Sequence, residues 1–213
     1  MQNSQLDRSP SEAEKHSLIG NALCLDFVNT LNGHGGTPLH EYLHGYRDLA
    51  IWCRKAGVLG DPETERLIRI ADRHPDEARA VLHRAIAFRE TLYRVFSAIA
   101  NANTPRGSDL AALDAARSEA LAHSHIERTT GGFSINWDNK SALERMLWPI
   151  AISAGDLLTS QTLTHVHECS GTRCDWLFLD TSRNHMRRWC SMSECGNRAK
   201  ARRFLQRKRT LVA

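Results

Sequence analysis

Along most of the first 160 positions, apolar residues recur at intervals of three and four, the period of a helix with one buried face. The clearest run is Val81, Leu82, Ala85, Phe88, Leu92, Val95, Phe96 and Ile99, which predicts a long helix over about 75–101. Ahead of it, residues 22–31 read as a short apolar helix interrupted by polar groups at Asp26, Asn29 and Thr30. A glycine-rich loop follows over 32–38. A helix over about 46–56 stops at Gly57, a left-handed C-cap candidate. Asp61-Pro62-Glu63 then opens another helix with proline in its first turn, running to about His74. Further helices are expected over about 107–123 and 139–159, the latter kinked by Pro149.

Two stretches break the helical period. Ile126 to Trp137 alternates around Gly131-Gly132 and reads as a β-hairpin. Trp176 to Asp180 is a short apolar, aromatic strand. The predicted fold is therefore mainly α with one β-hairpin over residues 19–160, followed by a small treble-clef-like ββα module over 161–213. Residues 1–18 are polar and read as a flexible start. The roughly 140 residues of the helical part suffice for an independent core.

Charge sharpens this division. The whole chain is only +4, but residues 183–213 hold ten Lys/Arg against a single acid, Glu194. The remainder is net −5, so an acidic body carries a strongly basic end, an asymmetry that points to a polyanionic partner. The first ten residues lack the apolar core of a secretory signal, and no stretch approaches the roughly 18 apolar residues of a membrane span. A cytoplasmic protein is expected, and in a reducing compartment six cysteines are poor material for structural disulfides.

Four of those cysteines form two evenly spaced pairs, Cys169–Cys174 and Cys190–Cys195, with fifteen residues between them. Four thiolates at this spacing suit one tetrahedral, structural zinc ion. The expected order is knuckle, strand, turn, a second strand over 187–189, then a helix with Cys195 in its first turn. His165 and His167 are alternative ligands, and a redox-switched disulfide is an alternative use of the thiols. Cys24 and Cys53 lie inside apolar helical patterns and read as core thiols. Arg183, Arg187 and Arg188 precede the last ligands; Arg198, Lys200, Arg202, Arg203, Arg207, Lys208 and Arg209 follow them. Four to seven of these cations meeting phosphates at once would give a salt slope of about −4 to −6 for double-stranded DNA. Only Trp189 and Phe204 flank the run, which disfavours stacking on single strands.

The residues from Arg183 to Met192, followed by Cys195-Gly196-Asn197-Arg198-Ala199-Lys200, resemble the CGNR zinc finger, as do Cys169, Cys174 and the strand after them. The helical part resembles the ABATE domain in Leu25-Asp26-Phe27-Val28-Asn29-Thr30, Leu49 with Trp52, Arg89 before Leu92-Tyr93, and Trp148-Pro149. This resemblance implies a stress-induced transcription regulator whose finger binds DNA.

Asp26, Asn29 and Thr30 share one face of an otherwise apolar helix, and Arg89, Arg47 and Trp52 are natural partners for them. Two readings stay open for these six: a pocket for a small-molecule effector, or a structural network that orients helices. His34, His40 and His44 read as solvated loop histidines rather than a second metal site. No catalytic motif is present, and a complete four-cysteine shell leaves zinc no open position for water, so the chain is read as a regulator rather than an enzyme. A homodimer is expected by analogy with two-fold regulators and operators. The rival readings are a protein–protein adaptor with a purely structural finger and an enzyme in the helical part.

Overall fold

The computed structural model describes residues 11–34, 36, 38–138 and 141–212, with side chains beyond residue 208 outside the description. The first ten positions of the expected flexible start lie outside the described residues. From Ser11 onward that expectation gives way to structure: Ser11 caps a short helix, α1 (Glu12–Lys15), and both Ala13 and His16 are fully buried.

The body is built from α2 (Leu23–Val28), α3 (Tyr46–Lys55), α4 (Asp61–Arg73), α5 (Pro75–Ala100), α6 (Gly107–Ala122) and α7 (Leu147–Leu158). Between α2 and α3 a two-residue antiparallel bridge joins β1 (Leu31–Asn32) to β2 (His40–Glu41). Helix α2 sits at the centre and packs against α5, α7 and the finger. Its Leu25 and Phe27 are fully buried, and Phe27 lies 5.4 Å from Trp52 of α3, ring to ring. The six apolar positions Val81, Leu82, Ala85, Leu92, Val95 and Phe96 of α5 are buried as the helical period requires, with Phe88 and Ile99 at the margin. Cys24 and Cys53 are fully buried, and burial pushes both thiols well above their ordinary range.

Helix α3 ends as expected. Gly57 has φ +75°, its N–H donates to Arg54 O, and Val58 N–H reaches back to Cys53 O, the paired bonds of a Schellman motif. The hairpin is β3 (Ser124–Thr129) with β4 (Gly132–Trp137), and the register Thr129↔Gly132 leaves a two-residue turn. Helix α7 differs from expectation. It begins at Leu147, not near 139, so Pro149 is its third residue. An N–H there has no partner within the helix, so proline fits without a kink.

The finger comprises β5 (Val166–Glu168), β6 (Leu177–Leu179) and α8 (Asn197–Val212), a ββα unit. Its strands differ in one respect from the expected order. β6 pairs with β5, which precedes the first cysteine pair, so the Cys169–Cys174 knuckle is the loop of that hairpin. Residues 187–189 form no strand, because their backbone is already committed. Arg187 N–H donates to the Asp180 carboxylate, and Arg188 O accepts from Ser170 N–H.

Candidate metal centre and nucleic-acid interface

Hairpin and turn bring the two cysteine pairs together. The ligand atoms of Cys169, Cys174, Cys190 and Cys195 all lie within 4.8 Å of one another. Cys190 Sγ is 3.7 Å from Cys174 Sγ and 3.6 Å from Cys195 Sγ. A tetrahedron with Zn–S arms of about 2.3 Å has edges of about 3.8 Å, whereas a disulfide needs about 2.05 Å. The arrangement therefore matches a tetrathiolate site for one zinc ion. The electrostatics agree. Hydrogen bonding by the Cys174 and Cys190 thiols, then by the N–H groups of Cys190 and Gly171, holds the Cys169 thiol far below its usual range. The same contacts push Cys174 and Cys190 up. Sulfurs this crowded cannot all lose their protons unless a cation lies among them.

Local sequence explains the fit. A Cβ at Gly171 would fall 3.0 Å from Cys195 Sγ and 3.2 Å from Cys169 Sγ, so a side chain there would press on both sulfurs. Cys169 Sγ accepts from Gly171 N–H at 3.4 Å and Cys190 N–H at 3.3 Å, and Arg198 donates to Cys195 Sγ at 3.0 Å. Such bonds orient and stabilise thiolates. Cys195 lies in a π turn, Met192–Gly196, which runs directly into α8. His165 stacks on His185 at 3.8 Å and His167 lies 5.9 Å from Phe178; neither joins the sulfur cluster.

The finger is not a free appendage. Asn29, fully buried on the body, holds β6 by both ends of its amide: Leu177 N–H donates to Oδ1 and Nδ2 donates to Leu177 O, each at 2.8 Å. Leu179 N–H donates to Gly20 O at 2.8 Å, and Asn21 Nδ2 donates to Leu179 O at 2.9 Å. From the finger side, the Asp175 carboxylate accepts from the N–H groups of Gly33 and His34, and Trp176 Nε1 donates to Leu31 O. The segment from Ile19 to His34 thus acts as a cradle for β6 and the knuckle.

This cradle accounts for most of the expected effector residues. Asp26 accepts from Gly20 N–H at 2.7 Å, fixing the cradle's turn. Burial raises its pKa to about 6, partly offset by the N–H groups of Gly20 and Ile19. Thr30 donates to Phe27 O, and Trp52 Nε1 donates to His16 Nδ1 at 3.0 Å. Arg89, 1% exposed, pairs with Glu41 through Nη1 and Nη2 at 2.7 and 2.8 Å, and also reaches Thr30 and Glu90. Arg47 lies apart, exposed on α3 beside a cleft of about 420 Å³ between α3, α4 and α5. The six are therefore not brought together as one pocket; five are tied to internal partners. The three histidines also separate. His34 is buried between Glu90, Val28 O and the Tyr93 ring, while His40 contacts Glu12 and Tyr42.

Sequence reasoning missed Glu41, Asp175 and His16. His16 is neutral: Nδ1 accepts from Trp52, Nε2 faces Asn29 O at 3.0 Å, and burial lowers its pKa to about 4. Only its place inside a polar stretch hid it; a capping serine five residues earlier was the available signal.

The cationic residues fall into two sets. Arg187 is structural: it lies 4.3 Å over the Phe178 ring and donates to the carbonyls of Trp189, Cys190 and Ile19. Its assignment to nucleic acid is corrected accordingly. Arg198 supports the metal shell, as described. Arg183, Arg188, Lys200, Arg202, Arg203, Arg207 and Lys208 are exposed, and among the described residues none meets a carboxylate. The side chain of Arg209 lies outside the described residues.

Fold and site together define a class: an α-rich body with a four-cysteine zinc finger docked on it. The family model for ABATE, described as "Putative stress-induced transcription regulator", matches residues 21–161, and the CGNR zinc finger model matches residues 165–208. The chain belongs to the ABATE family and carries a C-terminal CGNR zinc finger. Comparison with curated proteins finds no match.

Proposed function

We propose that the protein is a zinc-dependent transcription regulator that binds double-stranded DNA through its finger. One observation carries this reading: α8 leaves the last metal ligand with its cations exposed, while the cradle fixes the finger's direction on an acidic body. A helix of this kind delivers charge to phosphates in a set orientation. The zinc's contribution is structural. Cys169, Cys174, Cys190 and Cys195 would hold it, and the complete shell supports a regulator rather than an enzyme. The test is a mobility shift on duplex DNA at two salt concentrations, with and without residues 196–213. Binding that weakens steeply with salt and disappears on truncation is expected; affinity unchanged by truncation would sink the reading.

The adaptor reading draws on Phe204 and Leu205, both exposed on α8. It predicts no duplex binding at low salt. Effector sensing, the finer part of the proposal, has the α3–α4–α5 cleft beside Arg47 to work with. A metabolite-induced rise in melting temperature, lost in Arg47→Ala, is the expected result there. A two-fold dimer matched to a two-fold operator belongs to the same reading, and sedimentation velocity checks it.

A further inference from the structure

The inner side of α8 differs from its outer side. Arg202 and Arg203 turn toward the first knuckle and, with Ser170, Thr172, Arg188 and Trp189, line an open groove of about 340 Å³. Trp189 is flanked by two guanidinium groups, Arg188 at 5.6 Å and Arg203 at 6.0 Å from the ring. Arg202 donates to Thr172 Oγ1, closing one end of the groove against the knuckle. Ser170 N–H donates to Arg188 O at 2.9 Å, which ties the knuckle to the opposite wall. Among the described residues no carboxylate neutralises the three arginines. Lys200, Arg207 and Lys208 are exposed and do not line the groove.

We infer that this groove is a seat for one phosphate of the nucleic-acid backbone, gripped by Arg188, Arg202 and Arg203 and built only when the metal site closes the knuckle. The inference rests on the DNA-binding reading and adds to it. Three planar forks converging on one polar groove suit tetrahedral oxygens better than any base edge. The groove is open rather than enclosed, as a phosphate still joined to its chain requires. Because one wall is the knuckle itself, the seat fixes the finger's register on the duplex, whereas the outer cations add charge without register. Trp189 sits within the groove and reports its occupancy.

The experiment uses the zinc-loaded full chain. Tryptophan fluorescence is followed on adding inorganic phosphate, with chloride at matched ionic strength as the reference and Trp189→Phe to isolate that ring. Duplex binding is measured alongside, in wild type, in Arg202→Gln/Arg203→Gln and in the equal-charge control Lys200→Gln/Arg207→Gln. One zinc per chain in every variant shows that the finger remains assembled. A Trp189 signal with phosphate that DNA competes away, lost in the inner pair and kept in the outer pair, is the expected result. The inner pair should also lower the salt slope by about 1, the share of one phosphate. Normal duplex binding in the inner pair, with no phosphate signal, overturns the seat and leaves the DNA reading standing. A phosphate signal in a protein that binds no duplex overturns both and leaves a site for free phosphate.

Discussion

The helical body and the finger are stabilised by different means. The body buries a continuous apolar core around Phe27, Trp52, Leu92 and Phe96. The finger has a small apolar cluster of Trp176 and Phe178 beside the four cysteines, sets Val166 and Leu177 into the body's core, and depends for the rest on sulfur, amide and guanidinium groups. Apolar burial tolerates local change, because many weak contacts share the load. A site made of a few polar groups does not: removing one partner strands the other. The contrast teaches that the chain should come apart in two stages, finger first.

Removing the metal is the largest perturbation. Chelation, or Cys190→Ser, should dissolve the finger's structure, since structural zinc contributes on the order of 10 kcal/mol or more to such modules. Circular dichroism should retain most of the body's helical signal while Trp176 and Trp189 fluorescence shifts. Concerted loss of both parts would break the comparison.

Arg89→Ala attacks the buried Arg89–Glu41 ion pair of the body and should cost about 3–5 kcal/mol, because Glu41 loses its cationic partner. Urea denaturation should show this loss with one zinc per chain retained. Asn29→Ala acts at the junction. It strands Leu177 N–H and C=O and should cost about 2–4 kcal/mol. Its distinguishing mark is faster hydrogen exchange at β6 amides, with the α5 core amides less affected.

The smallest effect is a pH dependence. His16, depressed from 6.5 to about 4, contributes stability that is present above 6.5 and lost as pH falls through 4. Asp26, raised from 3.8 to about 6, works in the opposite sense: its contribution is present below 3.8 and lost as pH rises through 6. The two offset each other between pH 4 and 6.5. Asp26→Asn should remove one side of that balance, making stability rise with pH across this window by on the order of 2 kcal/mol. Thermal melts at pH 4.5, 5.5 and 6.5 check the slope. A falling slope would reverse the assignment of which group dominates.

Much of this arrangement is legible in the sequence because it follows local rules. Helix period placed α3 to α6, Gly57 marked its cap, and Gly131-Gly132 marked the hairpin turn. The sulfur site followed from spacing alone. What stayed hidden depends on contacts distant in the chain. That Glu41 would meet Arg89, forty-eight positions on, has no local signature. The pairing of β5 with β6 could not be read, since Val166–Glu168 is too short to show alternation. Arg187 looked like its basic neighbours, and only its place over Phe178 sets it apart. Asp26, Asn29 and Thr30 were rightly singled out as polar groups needing partners, but a period says nothing about whether the partner is a ligand or another part of the chain.

The amide grip of Asn29 on Leu177 has a consequence for anyone wishing to move the finger elsewhere. Residues 165–208 transplanted alone would keep every sulfur, yet their exposed strand edge would look for a new mate, inviting self-association. The smallest portable piece includes a surrogate for residues 19–34, so this zinc-finger tip and the helical body behind it should have been inherited as a pair rather than shuffled separately.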